Sequence, residues 1–315
     1  FAVCASILPI SFVPDLYLLG TLIFFIGSVA SFTDVAMNTN ALALERRYGR
    51  PILSSFHAWF SAGGLAGSGT GALAAWAALD IRIHLPLSTA ATALGAAVLV
   101  RYLLEGVGEA EQEKRSFFVK PPRQLVALGF LALASLLSED AIGTWSAAYI
   151  NKSLLASQGV AALGYFAFSL LMVTGRLSGD RLTTKMGPIA LTRAGGLLAF
   201  ASLTAALLIG HPIAAIIGFA GMGAGLAVVV PTVFRAAGSH PDIPPAVGLA
   251  SVSMIGYFGF FIGPPLIGGT GHLIGLPKAL GFVALFMAAI FLLAAHTAPG
   301  ERHTGEISGA PASTD

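Results

Sequence analysis

Nine stretches of this chain are each apolar enough and long enough to cross a lipid bilayer. A hydrocarbon core about 30 Å thick takes roughly 20 helical residues at 1.5 Å each, because every backbone polar group in lipid must be bonded within its own segment. The stretches run Leu16 to Leu44, Ile52 to Leu79, Leu85 to Leu104, Leu125 to Ile150, Val160 to Leu177, Ile189 to Ile209, Ile213 to Phe234, Val247 to Ile267 and Ala279 to Ala295. The longest exceed the core and must tilt or emerge. They predict an all-α membrane protein, a bundle with about nine complete transmembrane helices.

Charged residues make up 10% of the chain and hydrophobic ones 56%, with a mean hydropathy of +0.82, whereas soluble domains carry about 25% charged residues. A water-soluble fold is excluded. The net charge of +2 is no nucleic-acid footprint, because the basic residues sit at span boundaries and form no continuous patch. They report orientation instead. Threading the spans alternately puts Arg46, Arg47, Arg50, Arg101, Lys114, Arg115, Lys120, Arg123, Arg176, Arg181, Lys185, Arg193, Arg235 and Arg302 on one side and only Arg82, Lys152 and Lys278 on the other. The positive-inside tendency makes the first side cytoplasmic and puts the carboxyl-terminal tail there too. The lone Cys4 excludes an internal disulfide.

Glu105 to Arg123 is the one long polar interruption, closed by Pro121 and Pro122. It divides the chain into a first bundle (1–105), a cytoplasmic linker (106–123), a six-helix bundle (124–296) and a tail (297–315). The three spans before the linker resemble the last three. A gapless shift of 196 residues superposes Gly27 on Gly223, Ala41 on Ala237, Ser55 on Ser251, Gly63 on Gly259 and Gly67 on Gly263, the pattern of a parallel repeat. With Phe1 in place of an initiator Met, the repeat predicts a chain that starts partway through a longer one. Its spans are then helices 4 to 12 of twelve, and 1–13 is the end of helix 3.

An ionised side chain at mid-bilayer costs about 2.5 to 3.5 kcal/mol on insertion scales, so it faces a cavity or a partner. The interior acids are Asp34, Glu139 and Asp140, and His57 is the one histidine well inside a span. Ser31, Asp34, Asn38 and Glu45 share a helix face, as do Ser54, His57 and Ser61. Asp34 and Asn38 either line a water-accessible path or bond neighbouring helices, and His57 is either a protonation switch or a neutral, hydrogen-bonded ring. Asp34 and His57 differ in depth by roughly 9 Å, so a water or Asn38 has to connect them. Adjacent Glu139 and Asp140 repel when both ionise. Glu139 is the preferred proton carrier and Asp140 the second choice, with a neutral Glu139 bonded across the bundles as the alternative. Trp145, a turn farther on, either stacks on a sugar-like ring or packs.

Arg176, Asp180 and Arg235 lie near span ends. Arg176 and Asp180 suit contacts with Arg235 or with the positive end of the helix starting near Ile52, which would hold an inward gate shut, or else they form an ordinary surface loop. Pro231 and Thr232, and Gly263, Pro264 and Pro265, free carbonyls and permit bending, or are static kinks.

The string DVAMNTNALALERRYGRPILSSFHAWFSAGGLAG from Asp34 to Gly67 resembles the major facilitator superfamily, specifically its bacterial MosC-like branch. DAIGTWSAAYI from Asp140, GRLSGDRL from Gly175 and GYFGFFIGPPLIG from Gly256 are similar to it as well. Lys185 and Gly187 fit the end of the family's loop signature, but Thr184 stands where that signature carries Asp, and Asp180 lies a turn earlier. The resemblance implies two bundles rocking about a midplane site, with the spans carrying Asp34, Asn38, Glu139, Asp140 and Pro231 lining the cavity. It also implies a sugar-like or inositol-like solute.

No GxxxxGK[ST] loop is present and the histidines and cysteine lack metal-ligand spacing. The chain is expected to be no enzyme, to need no cofactor, metal, nucleic acid or oligomeric partner, and to act on a small solute and protons in a lipid bilayer. A multidrug or cationic-compound exporter is the alternative transporter. A non-transporting receptor and an intramembrane lipid-processing enzyme are the alternatives from other classes.

Overall fold

The computed structural model describes residues 1–103 and 122–298. The linker expected at 106–123 and the tail at 297–315 fall almost wholly outside the described residues. Among those residues the chain is helical: α1 (Ala2–Ile7), α2 (Leu16–Tyr48), α3 (Leu53–Trp76), α4 (Ile81–Leu99), α5 (Arg123–Ala148), α6 (Gln158–Met186), α7 (Pro188–Ile209), α8 (Pro212–Leu226), α9 (Val229–Gly238), α10 (Pro245–Ile274) and α11 (Leu276–Leu293). Eight segments are long and apolar enough to cross a membrane, counting α8 and α9 as one. The 24-residue α3 occupies the remaining expected span.

Local chemistry sets the ends. Asp15 caps α2 by accepting from the Leu18 amide at 2.8 Å, and Gly49 closes it at φ 66°, a left-handed conformation that costs glycine little. At 33 residues, α2 is about 50 Å long and overshoots the hydrocarbon core, as expected for the longest span. Pro188, Pro212 and Pro245 each open a helix, where the missing N–H costs nothing.

One expected span runs longer than its apolar stretch, and another is broken within itself. The helix expected at Val160 to Leu177 continues to Met186, because Asp180, Arg181 and Lys185 break hydropathy without breaking helical geometry. The span expected at Ile213 to Phe234 is interrupted at Ala227 and Val228. Pro231 explains the break, since its ring clashes with the carbonyl four residues earlier, that of Ala227. By contrast α10 stays helical through Gly263, Pro264 and Pro265.

Helix α5 is the core of the assembly, with α10, α11, α6 and α9 around it. Residues such as Leu208, Leu273 and Phe261 turn outward, as lipid-facing side chains do. Close crossings use glycine: a Cβ at Gly225 would sit 2.4 Å from the Gly195 carbonyl oxygen, and one at Gly195 equally close to that of Gly225. Gly225→Val is therefore expected to lower stability by about 1–3 kcal/mol, measurable as the urea midpoint in detergent. Gly269→Ala, with open space around it, should leave the midpoint within error.

Candidate functional site

Polar groups gather in three places along the joint between the first three long helices and the rest. One is at the end carrying Arg46, Arg47, Arg50, Arg181 and Lys185, here called the basic face. Helix α3 begins there, and its first amides lack intrahelical partners. Glu45 Oε2 accepts from the Ile52 and Leu53 amides at 2.8 and 2.9 Å. Asp180, reaching over from α6, accepts from the Ser54 and Ser55 amides at 2.9 and 2.8 Å and from Ser55 Oγ at 2.5 Å. Two carboxylates thus share one positive helix end, one on each side of the joint. Arg235 of α9 ties them together, donating to both Glu45 oxygens at 2.6 and 2.9 Å and to Asp180 Oδ1 at 3.3 Å. All three side chains are at most 15% exposed. Arg46 adds a 2.6 Å bond to the Gly238 carbonyl. Glycine at 179 permits this approach, because Ser54 lies where its Cβ would be.

Deeper, a chain of hydrogen bonds runs from α10 to α3. Tyr257 donates to Asp34 Oδ2 at 2.6 Å, Asn38 Nδ2 donates to Asp34 Oδ1 at 3.1 Å, and Asn38 Oδ1 lies 3.1 Å from His57 Nε2. With the Asn38 amide nitrogen committed to Asp34, its oxygen is an acceptor, so His57 Nε2 carries the proton in this arrangement. Asn38 is fully buried, and the His57 ring lies edge-on to Phe234 at 5.8 Å. Asn38 is therefore the connection that the difference in depth requires.

The third group is Glu139, Arg176 and Ser61. Arg176 Nη2 donates to Glu139 Oε2 at 3.2 Å and Nη1 to Ser61 Oγ, leaving the buried Nε without a protein partner. Arg176 is 5% exposed, and a buried guanidinium persists only when paired. These three line a cavity of about 360 Å³ between α3, α5 and α6 whose other walls include Phe60, Tyr165, Phe166 and Phe168. Its size is at the low end of the roughly 300–1,000 Å³ of small-molecule sites. Aromatic walls around a few convergent charges suit a small solute with both apolar faces and hydrogen-bonding groups.

Several expectations need correction. Arg176 does not join Asp180 and Arg235: it lies one turn deeper on α6 and turns to Glu139, which is closer than the basic face and lacks another cation. Glu139 and Asp140 diverge. Asp140 faces α10, where a Cβ on Gly263 would come within 3.4 Å of Oδ2, and it is not among the residues lining the Glu139 cavity. Trp145 packs over Gly268 and is not among the residues lining the Glu139 cavity. Asp180 meets both Arg235 and the positive end of α3.

Tyr257 escaped the sequence, as did the partners of Glu45 and Ser61. Tyr257 is a single phenol in an apolar span, and its polarity was the available signal. Glu45 sat on the polar stripe of Asp34 and Asn38 but had no evident partner. Ser61 was one small polar residue among many.

No protein-family model matches the chain. An uncharacterised MFS-type transporter of Yersinia pestis is 33% identical over 264 residues, covering 84% of this chain and 68% of the relative. Membrane protein MosC of Rhizobium meliloti is 33% identical over 261 residues, covering 82% of this chain, which in turn spans only 62% of that protein. Among solved structures, the Major Facilitator Superfamily transporter FucP in its outward conformation overlays with a TM-score of 0.75 at 16% identity, covering 94% of this chain and 80% of that one. A second FucP structure, described as an E. coli fucose:proton symporter, gives 0.74. Identity, order of helices and fold agree: the chain belongs to the major facilitator superfamily, a family of multi-pass membrane transporters that are not enzymes.

Proposed function

We propose that this protein is a secondary active transporter whose solute binds beside Glu139 and Arg176, reached from one side of the membrane at a time. The observation that carries this reading is the pairing of a wall-lining ion pair, Glu139 with Arg176, with a separate closure at the basic face. A closed end and a polar cavity beyond it are what alternating access requires of one of its two states. The basic face is the cytoplasmic one by charge asymmetry, which makes this arrangement outward-facing, with the chain in the bacterial inner membrane and its tail inside. The linker-separated bundles, 1–105 and 124–296, are the parts that rock.

The solute is a small polar one, sugar-like or inositol-like. A carboxylate and a guanidinium side by side bond hydroxyls as acceptor and donor, and the aromatic walls cover the C–H faces of a ring. FucP, a fucose:proton symporter, is in keeping with that class. A cationic compound fits less well, because Arg176 already neutralises Glu139.

Protons are the coupling ion, carried by Glu139 and assisted by the Asp34, Asn38 and His57 chain. A proton on Glu139 weakens its bond to Arg176, and only such unequal stabilisation of the two states couples the gradient to the solute. In sealed vesicles, Glu139→Gln is expected to keep solute exchange and lose accumulation driven by an imposed pH gradient. Accumulation unaffected by collapsing that gradient in the wild-type protein would reject proton coupling.

A further inference from the structure

Beside the closure at the basic face, the start of α3 and the last turns of α6 enclose a recess of about 650 Å³ that the transport reading does not use. Three of its lining residues are cations: Arg50, just past the end of α2, and Arg181 and Lys185 of α6. None of the three forms an ion pair with any described residue, although Arg50 lies over the Tyr48 ring at 5.8 Å. The one carboxylate in the wall, Asp180, is already engaged by the α3 amides, Ser55 and Arg235. Among the described residues the recess is therefore electropositive, its one carboxylate already committed elsewhere.

Its chemistry is ordered by depth. Leu177, Arg181 and Lys185 fall at four-residue steps and form one stripe along α6. The apolar member is toward the membrane and the two cations are at its rim. Leu177 is 55% exposed, so it offers free apolar surface directly below the charges. An amphiphile with a phosphate above a hydrocarbon chain matches that order, and guanidinium groups hold phosphate oxygens in charge-assisted bonds.

We propose that this recess is a seat for an acidic phospholipid, its phosphate held by Arg50, Arg181 and Lys185 and its chain lying along Leu177. One wall comes from α3 and the loop before it and the other from α6, on opposite sides of the joint that the closure spans. An occupant touching both walls binds only when they are together, so it favours the closed basic face. The proposal holds whatever solute is carried.

The test uses the purified chain with Cys4→Ser in nanodiscs of phosphatidylcholine alone or with equimolar phosphatidylglycerol. The readouts are lipid retained after detergent washing and the distance between spin labels at Arg47→Cys and Met186→Cys. Phosphatidylglycerol should be retained over phosphatidylcholine on the order of threefold or more, as three charge-assisted contacts would give, and it should enlarge the short-distance population. Arg50→Gln, Arg181→Gln and Lys185→Gln together should abolish both effects. Each single change should weaken them, which keeps the test decisive if the triple variant does not fold. Arg82→Gln, outside the recess, should change neither. Equal retention of the two lipids, full retention by the variants, an unchanged distance, or the same distance shift from inorganic phosphate in phosphatidylcholine discs would each overturn the proposal.

Discussion

Arg235→Ala is expected to open the basic face and to destabilise the arrangement described above more than any other single change there. The substitution leaves Glu45 and Asp180 close together and without their shared cation, both at most 12% exposed. Breaking a buried pair by removing one partner costs about 3–5 kcal/mol. Part of this is retained, because the Ile52 amide and the first three amides of α3 still donate to the two carboxylates. The rest is relieved when the face opens and water reaches both acids. The expected result is a shift toward the open face, seen as longer distances between the labels at Arg47→Cys and Met186→Cys, with solute no longer accumulated. Adding Glu45→Gln to Arg235→Ala should recover part of the lost stability, since one uncompensated charge is then gone. Distances unchanged in Arg235→Ala would mean that packing alone holds the face shut.

The second large effect is expected at Arg176. Arg176→Ala removes the partner of Glu139 and of Ser61 at once. The cost falls toward the lower end of the same range of about 3–5 kcal/mol, because the Glu139 side chain is 28% exposed and is partly rescued by solvent. Transport should be lost. Arg176→Gln with Glu139→Gln should return most of the stability, as a neutral pair needs no counterion, but it should not restore solute accumulation. Thermal melts and vesicle uptake on the same preparations separate the two consequences. Recovery of uptake in the double variant would remove Glu139 and Arg176 from the transport pathway.

Hydropathy alone located the long helices, since twenty apolar residues in lipid have no alternative to a helix. It ended α6 too early, where charge ends the apolar run but not the hydrogen-bond ladder, whereas the α8 to α9 break was announced by Pro231, which acts on a carbonyl four residues back. The candidate site was legible where spacing along a single helix decides it, as with Asp34 and Asn38. Asp180 was legible as a partner of the α3 terminus because unsatisfied amides attract carboxylates. Pairs joining distant segments were not legible: Tyr257 with Asp34, Arg176 with Glu139 and Arg235 with Glu45 depend on how the helices cross. Glycines such as Gly225 and Gly179 govern those crossings, and nothing local in the sequence says which neighbour each will admit.

The most direct test of alternating access is the labelling of a cavity residue from each face. Ser169 lines the Glu139 cavity without touching its ion pair, so Ser169→Cys in a Cys4→Ser background reports exposure without removing the machinery. A membrane-impermeant maleimide should reach it from the face opposite the basic one in the otherwise unchanged protein. From the basic face it should reach it only when Arg235→Ala has opened that end. Labelling from neither face in both proteins, or equally from both faces before the arginine is removed, would contradict a solute path closed by Glu45, Asp180 and Arg235.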